Sequence, residues 1–143
     1  MKKLKNQSDM IYIAAPFFNK EQVEVVEKIK SVLIDLNIPF FSPKDELGIV
    51  EGKLTTFDER EKVFRGNVSG MRSSKLSISV IDDFDKGVLW EMGFLFANHI
   101  PIIAYSNVLG RGLNLMLQQS VIYFSNGFDD LKEKIIEIYG VIK

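Results

Sequence analysis

The chain alternates short apolar runs with longer stretches in which apolar residues recur every three or four positions. Met10-Ile11-Tyr12-Ile13-Ala14-Ala15 favours β structure and is stopped by Pro16, which predicts a first strand. Behind a capping residue, Asn19, the positions Val23, Val26, Ile29, Lys30, Leu33 and Leu36 fall at helical spacing. The opposite face of that helix, with Glu21, Glu24, Glu27, Lys28 and Asp35, is a solvated surface. Asn37 ends it, and Ile38-Pro39-Phe40-Phe41 predicts a second short strand. Lys44 to Thr56 has Gly48 and Gly52 and no clear period, so it reads as a loop of the length that often serves function. Phe57 to Met71 regains helical spacing through Val63, Phe64, Val68 and Met71. Leu76 to Ile81 is a strand buried on both faces, followed by a helix from near Gly87 to about Asn98. Ile100 to Tyr105 is a further strand, with Pro101 near its start, where a missing amide matters least. A short helix over Leu113 to Gln119 and an edge strand over Val121 to Phe124 come next. The last element is an amphipathic helix from Asp129 to Tyr139, through Leu131, Ile135, Ile136 and Tyr139.

Strands that alternate with helices predict one α/β domain over residues 1–143: a five-stranded parallel sheet with helices on both faces, flavodoxin-like or Rossmann-like. Ligands of such sheets sit outside the carboxyl ends of the strands. That edge gathers Ala15 to Phe18, Ser42 to Glu46, Asp82 to Glu91 and Ser106 to Asn114. At 143 residues the chain is long enough to bury most of its apolar surface.

Composition narrows the chemistry more than the fold. A net charge of −1 gives no global field for nucleic acid or an anionic membrane, and Lys2, Lys3 and Lys5 form only a solvated basic tail. With no cysteine, disulfides, thiolate metal sites and cysteine nucleophiles are excluded. A single histidine, His99, stands against a histidine metal site or a Ser-His-Asp triad, and its place after a helix suits a charge interaction there. No apolar core of signal-peptide length occupies Met1 to Met10 and no span is long enough for a membrane, so a cytoplasmic protein is expected. Neither a GxGxxG after the first strand nor a GxxxxGK[ST] is present, and Gly110-Arg111-Gly112 is too short to replace them. Asp82, Asp83 and Asp85 could bind Mg²⁺, but an acidic loop at a strand end is the simpler reading.

The misfit in the pattern is Glu91, a carboxylate among Leu89, Trp90, Met92, Phe94, Leu95 and Phe96. Burying such a charge costs free energy unless it is compensated. Glu91 lies about one turn into its helix, whose amino end favours the ionised form and opposes the rise that desolvation brings. A partly desolvated carboxylate of this kind can attack an electrophilic carbon such as an anomeric carbon. Asp85 could accept hydrogen bonds from sugar hydroxyls. The competing structural reading pairs Glu91 with Arg65 or Lys86 at the surface. Trp90 and Phe94 read as core, whereas Phe17 and Phe18 at a strand's carboxyl end are better placed to stack on a base.

Three segments carry a resemblance: Ile11-Tyr12-Ile13-Ala14-Ala15-Pro16-Phe17-Phe18, Gly87-Val88-Leu89-Trp90-Glu91-Met92-Gly93 and Leu113-Asn114-Leu115-Met116. In order and spacing they resemble the nucleoside 2-deoxyribosyltransferases, over nearly the whole chain. The resemblance implies transfer of a 2-deoxyribosyl group between nucleobases through a covalent sugar–enzyme ester, with deoxynucleosides and free bases as ligands and no metal or organic cofactor. By matching position it makes Glu91 the nucleophile on C1′, Tyr12 the residue that orients it, and Asp85 the partner of the 3′-hydroxyl. Asn114 and Met116 would reach the 5′-hydroxyl region of a neighbouring subunit's site in a hexamer built from dimers. Phe17, Asp45 and Gly87 complete the expected substrate-binding set.

One position departs from the pattern. Where the family carries Asp, which exchanges a proton with the leaving base, this chain has Asn67. An amide hydrogen-bonds but is no acid at neutral pH. The expected consequences are slower transfer, altered base preference, or rescue by Asp45 or Glu46. A related N-glycoside hydrolase, acting on nucleosides or on 5′-monophosphates held through Ser106, Arg111 and Ser120, and a non-catalytic nucleoside-binding module are the alternatives.

Overall fold

The computed structural model describes residues 9–46, 56–108 and 112–140. Five strands form one sheet: β1 (Met10–Ala14), β2 (Phe40–Phe41), β3 (Ser74–Val80), β4 (Ile102–Tyr105) and β5 (Tyr123–Ser125). Their order is β2-β1-β3-β4-β5 and every pairing is parallel. Six helices connect and follow them: α1 (Lys20–Asp35), α2 (Pro43–Glu46), α3 (Phe57–Arg72), α4 (Lys86–Ala97), α5 (Leu115–Ser120) and α6 (Phe128–Tyr139). This is the doubly wound arrangement expected from the alternating pattern, and its strand order reverses between β1 and β3.

The period of two along each strand divides the core. Ile11, Ile13, Leu76, Ile78, Val80, Ile103 and Tyr105 pack with Ile29 and Leu33 of α1 and Leu131 and Ile135 of α6. Tyr12, Ala14, Ile102 and Ala104 face the other way, against Met71 of α3 and Val88, Met92 and Leu95 of α4. Each fully buried aliphatic side chain contributes roughly 1.5–3 kcal/mol of transfer free energy, so both layers stabilise the fold. Between the strands of that second face lie Ser77 and Ser79, both without exposure, their hydroxyls 3.2 Å apart. Small side chains there let α4 lie low over the sheet, which brings Tyr12 within reach of that helix.

Several boundaries differ from the sequence reading for identifiable reasons. α5 starts at Leu115 because the Asn114 side chain caps it, accepting from the Leu117 amide at 2.9 Å. β3 starts at Ser74, before the apolar run, and the Ser74 hydroxyl donates to the Gly70 carbonyl at 2.7 Å, tying the strand to the end of α3. A capping box at Thr56 and Glu59 fixes the start of α3. Lys30, which falls on the apolar face of α1, is buried with its ammonium held by Glu27 at 2.7 Å and by Asp45. Its stem packs while its charge is paired. His99 takes a left-handed backbone (φ 61°) just after α4, its amide donating to the Phe96 carbonyl. Most of the irregular stretch expected from Lys44 to Thr56, including Gly48 and Gly52, lies outside the described residues.

Phe94 packs, half-buried, against the second core layer as expected, but Trp90 requires a correction. The core face of α4 is filled by Val88, Met92 and Leu95, which leaves Trp90 turned outward and 50% exposed. Its ring stacks on Phe94, with 13° between the planes, and touches Phe64 of α3. Phe64, expected on an apolar face, is likewise about half exposed.

Candidate active site

At the strand-order reversal, the segment after β1 and the loop after β3 part and leave a crevice outside the carboxyl ends of the sheet. The loop after β3 ends on Asp85, the N-cap of α4, whose carboxylate accepts from the Val88 amide at 3.1 Å. One carboxylate oxygen engaged as a cap leaves further acceptor capacity on the group. Just before it, Phe84 adopts φ 47°, a strained conformation for a bulky residue, to bring the chain round to the helix.

A cavity of about 450 Å³ fills the crevice. That volume lies in the range of small-molecule sites. Its walls are Ala15 to Phe18 after β1, Val63, Phe64, Asn67 and Val68 on α3, and Gly87, Val88 and Trp90 on α4. Asp85 and Glu91 supply carboxylates among these mostly apolar walls. The α3 residues face inward together because Val63, Asn67 and Met71 are four apart and Phe64 is three before Asn67.

Glu91 pairs with neither Arg65 nor Lys86 within its wall. The hydroxyl of Tyr12, fully buried beneath it, donates a hydrogen bond to Glu91 Oε2. Arg65 pairs instead with Glu61, at 3.4 Å. Burial lifts the Glu91 carboxyl from 4.5 to about 7; the Tyr12 hydrogen bond pulls it down, and the charge of Asp85 adds to the rise. Desolvation therefore outweighs the helix amino end that the sequence sets against it. Tyr12 itself is held strongly neutral, first by burial and then by the adjacent Glu91 charge, so it serves as a donor throughout the physiological range.

The remaining expected residues divide. Phe17, Gly87, Asp85 and Asn67 share the cavity with Glu91. The Oδ1 atom of Asn67 is buried and has no hydrogen-bond partner among the described residues. Such an atom ordinarily finds a donor. Asp45 is not among the lining residues; it is exposed on α2 and paired with Lys30, and Glu46 beside it is also exposed. Asn114 and Met116 lie on exposed α5, away from this cavity, with Met116 77% exposed. Ser106 donates to Asp82, and Ser120 to the Leu117 carbonyl at 2.9 Å, and neither lines the cavity. Arg111 lies outside the described residues. Missed by the sequence reading are Val63, Phe64 and Trp90 as walls, together with Phe41, whose ring stacks on Tyr12. Spacing from Asn67 would have found the first two. Among the described residues, no three histidine or acidic side chains gather as a metal site, and no helix is long and apolar enough to cross a membrane.

Comparison with known proteins adds a family. The sequence profile described as "Nucleoside 2-deoxyribosyltransferase" matches residues 11–123. Among solved structures, a 2-deoxyribosyltransferase from Bacillus psychrosaccharolyticus is 32% identical, with a TM-score of 0.77 over 86% of this chain and 90% of that one. A conserved protein from Enterococcus faecalis shares the fold at 19% identity and TM-score 0.70, over 91% of this chain and 98% of that one. A CMP N-glycosidase from Clostridium botulinum shares it at 14% identity and TM-score 0.56, with the same coverage. No curated protein matches the chain closely enough to count as a relative.

An acid whose folded-state pKa exceeds its unfolded value contributes stability that is present below the unfolded pKa and lost as pH rises through the folded one. Between 4.5 and about 7, Glu91 withdraws on the order of 3 kcal/mol from folding, at 1.36 kcal/mol per unit. Glu91→Gln abolishes that titration. Chemical denaturation should find the variant's advantage over the parent larger by about this amount at about pH 8 than at about pH 4. A gap that does not change with pH would contradict the buried, titrating carboxylate.

Proposed function

The chain belongs to the nucleoside 2-deoxyribosyltransferase family, and from that premise we propose that it moves the 2-deoxyribosyl group of a deoxynucleoside to another purine or pyrimidine base. The observation that carries this reading is the buried Tyr12 hydroxyl bound to Glu91 in the wall of a largely apolar cavity. In the first step, an oxygen of ionised Glu91 bonds to C1′ while the C1′–N bond breaks and its electron pair leaves with the base. The departed base takes a proton from solvent. In the second step, a ring nitrogen of the incoming base bonds to C1′ as its N–H proton passes to solvent, and the carboxylate departs, restoring Glu91. Tyr12 holds one carboxylate oxygen and so presents the other. Because only the ionised form attacks, a Glu91 pKa of about 7 places the acid limb of activity near neutrality.

Asp85 serves the sugar, accepting from a hydroxyl with the capacity its cap leaves. Phe17, Phe64 and Trp90 offer aromatic surface to the base. Asn67 meets the base edge: its Oδ1, without a partner among the described residues, suits a base N–H, and its amide nitrogen can donate to a ring acceptor. It stabilises the departing base by hydrogen bonding and transfers no proton. Two carboxylates and no cation among the described lining residues favour an unphosphorylated nucleoside over a 5′-monophosphate.

In an assay mixing a deoxynucleoside with a different free base, Glu91→Ala should lower exchange by about three orders of magnitude or more with the fold intact. Asn67→Asp should raise it by about 10²-fold, the scale of general acid catalysis. Free sugar without exchanged nucleoside would assign hydrolysis instead, and binding without turnover a sensing module. Exchange retained in Glu91→Ala would sink the reading.

The outer surface supports assembly as part of the same function. Leu115, Met116, Ile122 and Phe96 are all more than half exposed. Apolar surface of this kind marks contact with another protein. A second copy seated there would carry Asn114 and Met116 into the neighbouring cavity at the 5′ end of the sugar, as in a hexamer of dimers. Sedimentation should show an oligomer, and Met116→Lys should both dissociate it and weaken exchange. A fully active monomer would contradict shared sites.

A further inference from the structure

We infer that Gly70 is a positioning residue for the Glu91 carboxylate, acting through the Phe41 ring and the Tyr12 side chain. Glycine inside a helix costs about 1 kcal/mol relative to alanine, so its presence in α3 calls for a reason. The reason is on its sheet-facing side. A Cβ at Gly70 would stand 2.8 Å from both Cε2 and Cζ of Phe41 and 2.9 Å from its Cδ1. The ring is therefore pressed against the bare backbone of α3. On its other side it stacks on Tyr12, with centroids 5.5 Å apart and 15° between planes. Tyr12 then donates to Glu91. Helix backbone, Phe41, Tyr12 and Glu91 form one continuous stack from α3 across the edge of the sheet to α4.

The stack is anchored on both sides of the half-buried Phe41 ring. Phe41 is in register with Tyr12 across the β1–β2 pairing, which holds its backbone in place. Tyr12 is fully buried. Gly70 is buried too, and its carbonyl is held by the Ser74 hydroxyl. A methyl group at Gly70 must displace either the Phe41 ring, which rests on Tyr12, or α3 itself. Asn67 sits one turn earlier on α3, so the second displacement would also move the amide that faces the base. Among the described residues, the titratable groups that face Glu91 are Tyr12 from β1 and Asp85 at the start of α4; α3 contributes only the neutral Asn67, since Arg65 is paired with Glu61. Displacing Tyr12 thus removes the described side chain whose hydrogen bond favours the ionised carboxylate.

This inference deepens the proposed function, on which its catalytic meaning rests, and its test reads protonation without turnover. The Glu91 carboxyl is titrated by NMR in protein labelled at the glutamate side-chain carbon, with Tyr12→Phe as the reference for a lost hydrogen bond. Tyr12→Phe should raise the midpoint by about one to two units. Gly70→Ala and Phe41→Leu should each raise it in the same direction. In the double variant, the smaller Leu relieves the crowding and restores Tm lost in Gly70→Ala, while the Glu91 midpoint stays raised because the ring bracing Tyr12 is gone. Phe41→Leu alone decides the matter if Gly70→Ala does not fold. An unchanged midpoint in Phe41→Leu, or in a folded Gly70→Ala that has lost only Tm, overturns the inference. Absence of base exchange in the parent protein would refute the proposed function and leave this titration unaffected.

Discussion

Withdrawing a carboxylate from water into an apolar wall is the constraint around which this molecule is arranged. Glu91 would be neutral or destabilising there without a donor, and the donor is the hydroxyl of Tyr12. For the two to meet, β1 must turn Tyr12 toward α4, and α4 must lie close over the sheet. Alternation along β1 accomplishes the first, placing Tyr12 with Ala14 on the face opposite Ile11 and Ile13. The buried Ser77, Ser79 and Ala104 accomplish the second by leaving little volume beneath the helix. The resulting balance leaves burial ahead and the carboxyl near 7, a poised group with a stability cost, as functional sites often carry.

The parallel sheet supplies the rest of the site by geometry. Reversal of strand order between β1 and β3 opens the crevice, and the tight loop through Phe84 starts α4 at its rim. Asp85 then does two things at once, capping the helix and standing in the cavity wall. Its cap bond fixes the first turn of α4, so the distance from Asp85 to Glu91 is set by helix geometry rather than by a mobile loop. Opposite, α3 contributes a face of Val63, Phe64, Asn67 and Val68. The site is thus built mainly on regular elements, which hold side chains more tightly than loops do.

The fold was legible in the sequence because its signals are local: the runs at β1, β3 and β4 and the helical periods of α1, α3 and α6 each stand out over their own length. Glu91 was legible as a charge among large apolar residues. What was not legible depends on contacts between distant segments. The residues around Glu91 do not themselves point to a tyrosine 79 positions away; only the family resemblance paired Tyr12 with it. Trp90 looks like core because its neighbours are apolar, and only the depth at which α4 sits shows that Val88, Met92 and Leu95 take that face. Gly70 reads as an ordinary helical glycine until Phe41 is seen against it. The side-chain bonds at Asn114 and Ser74 that shift element ends by a residue or two likewise lie below the resolution of periodicity.

The central claim is that Glu91 forms a bond to the sugar. Its most direct test is to mix the protein with a deoxynucleoside and no acceptor base, quench with acid, and map the digest by mass spectrometry. The account predicts a deoxyribosyl ester on the peptide that contains Glu91, lost when an acceptor base is added before the quench and absent from Glu91→Gln. Turnover with the sugar attached to another residue, or with no attachment at any time of quenching, would contradict it.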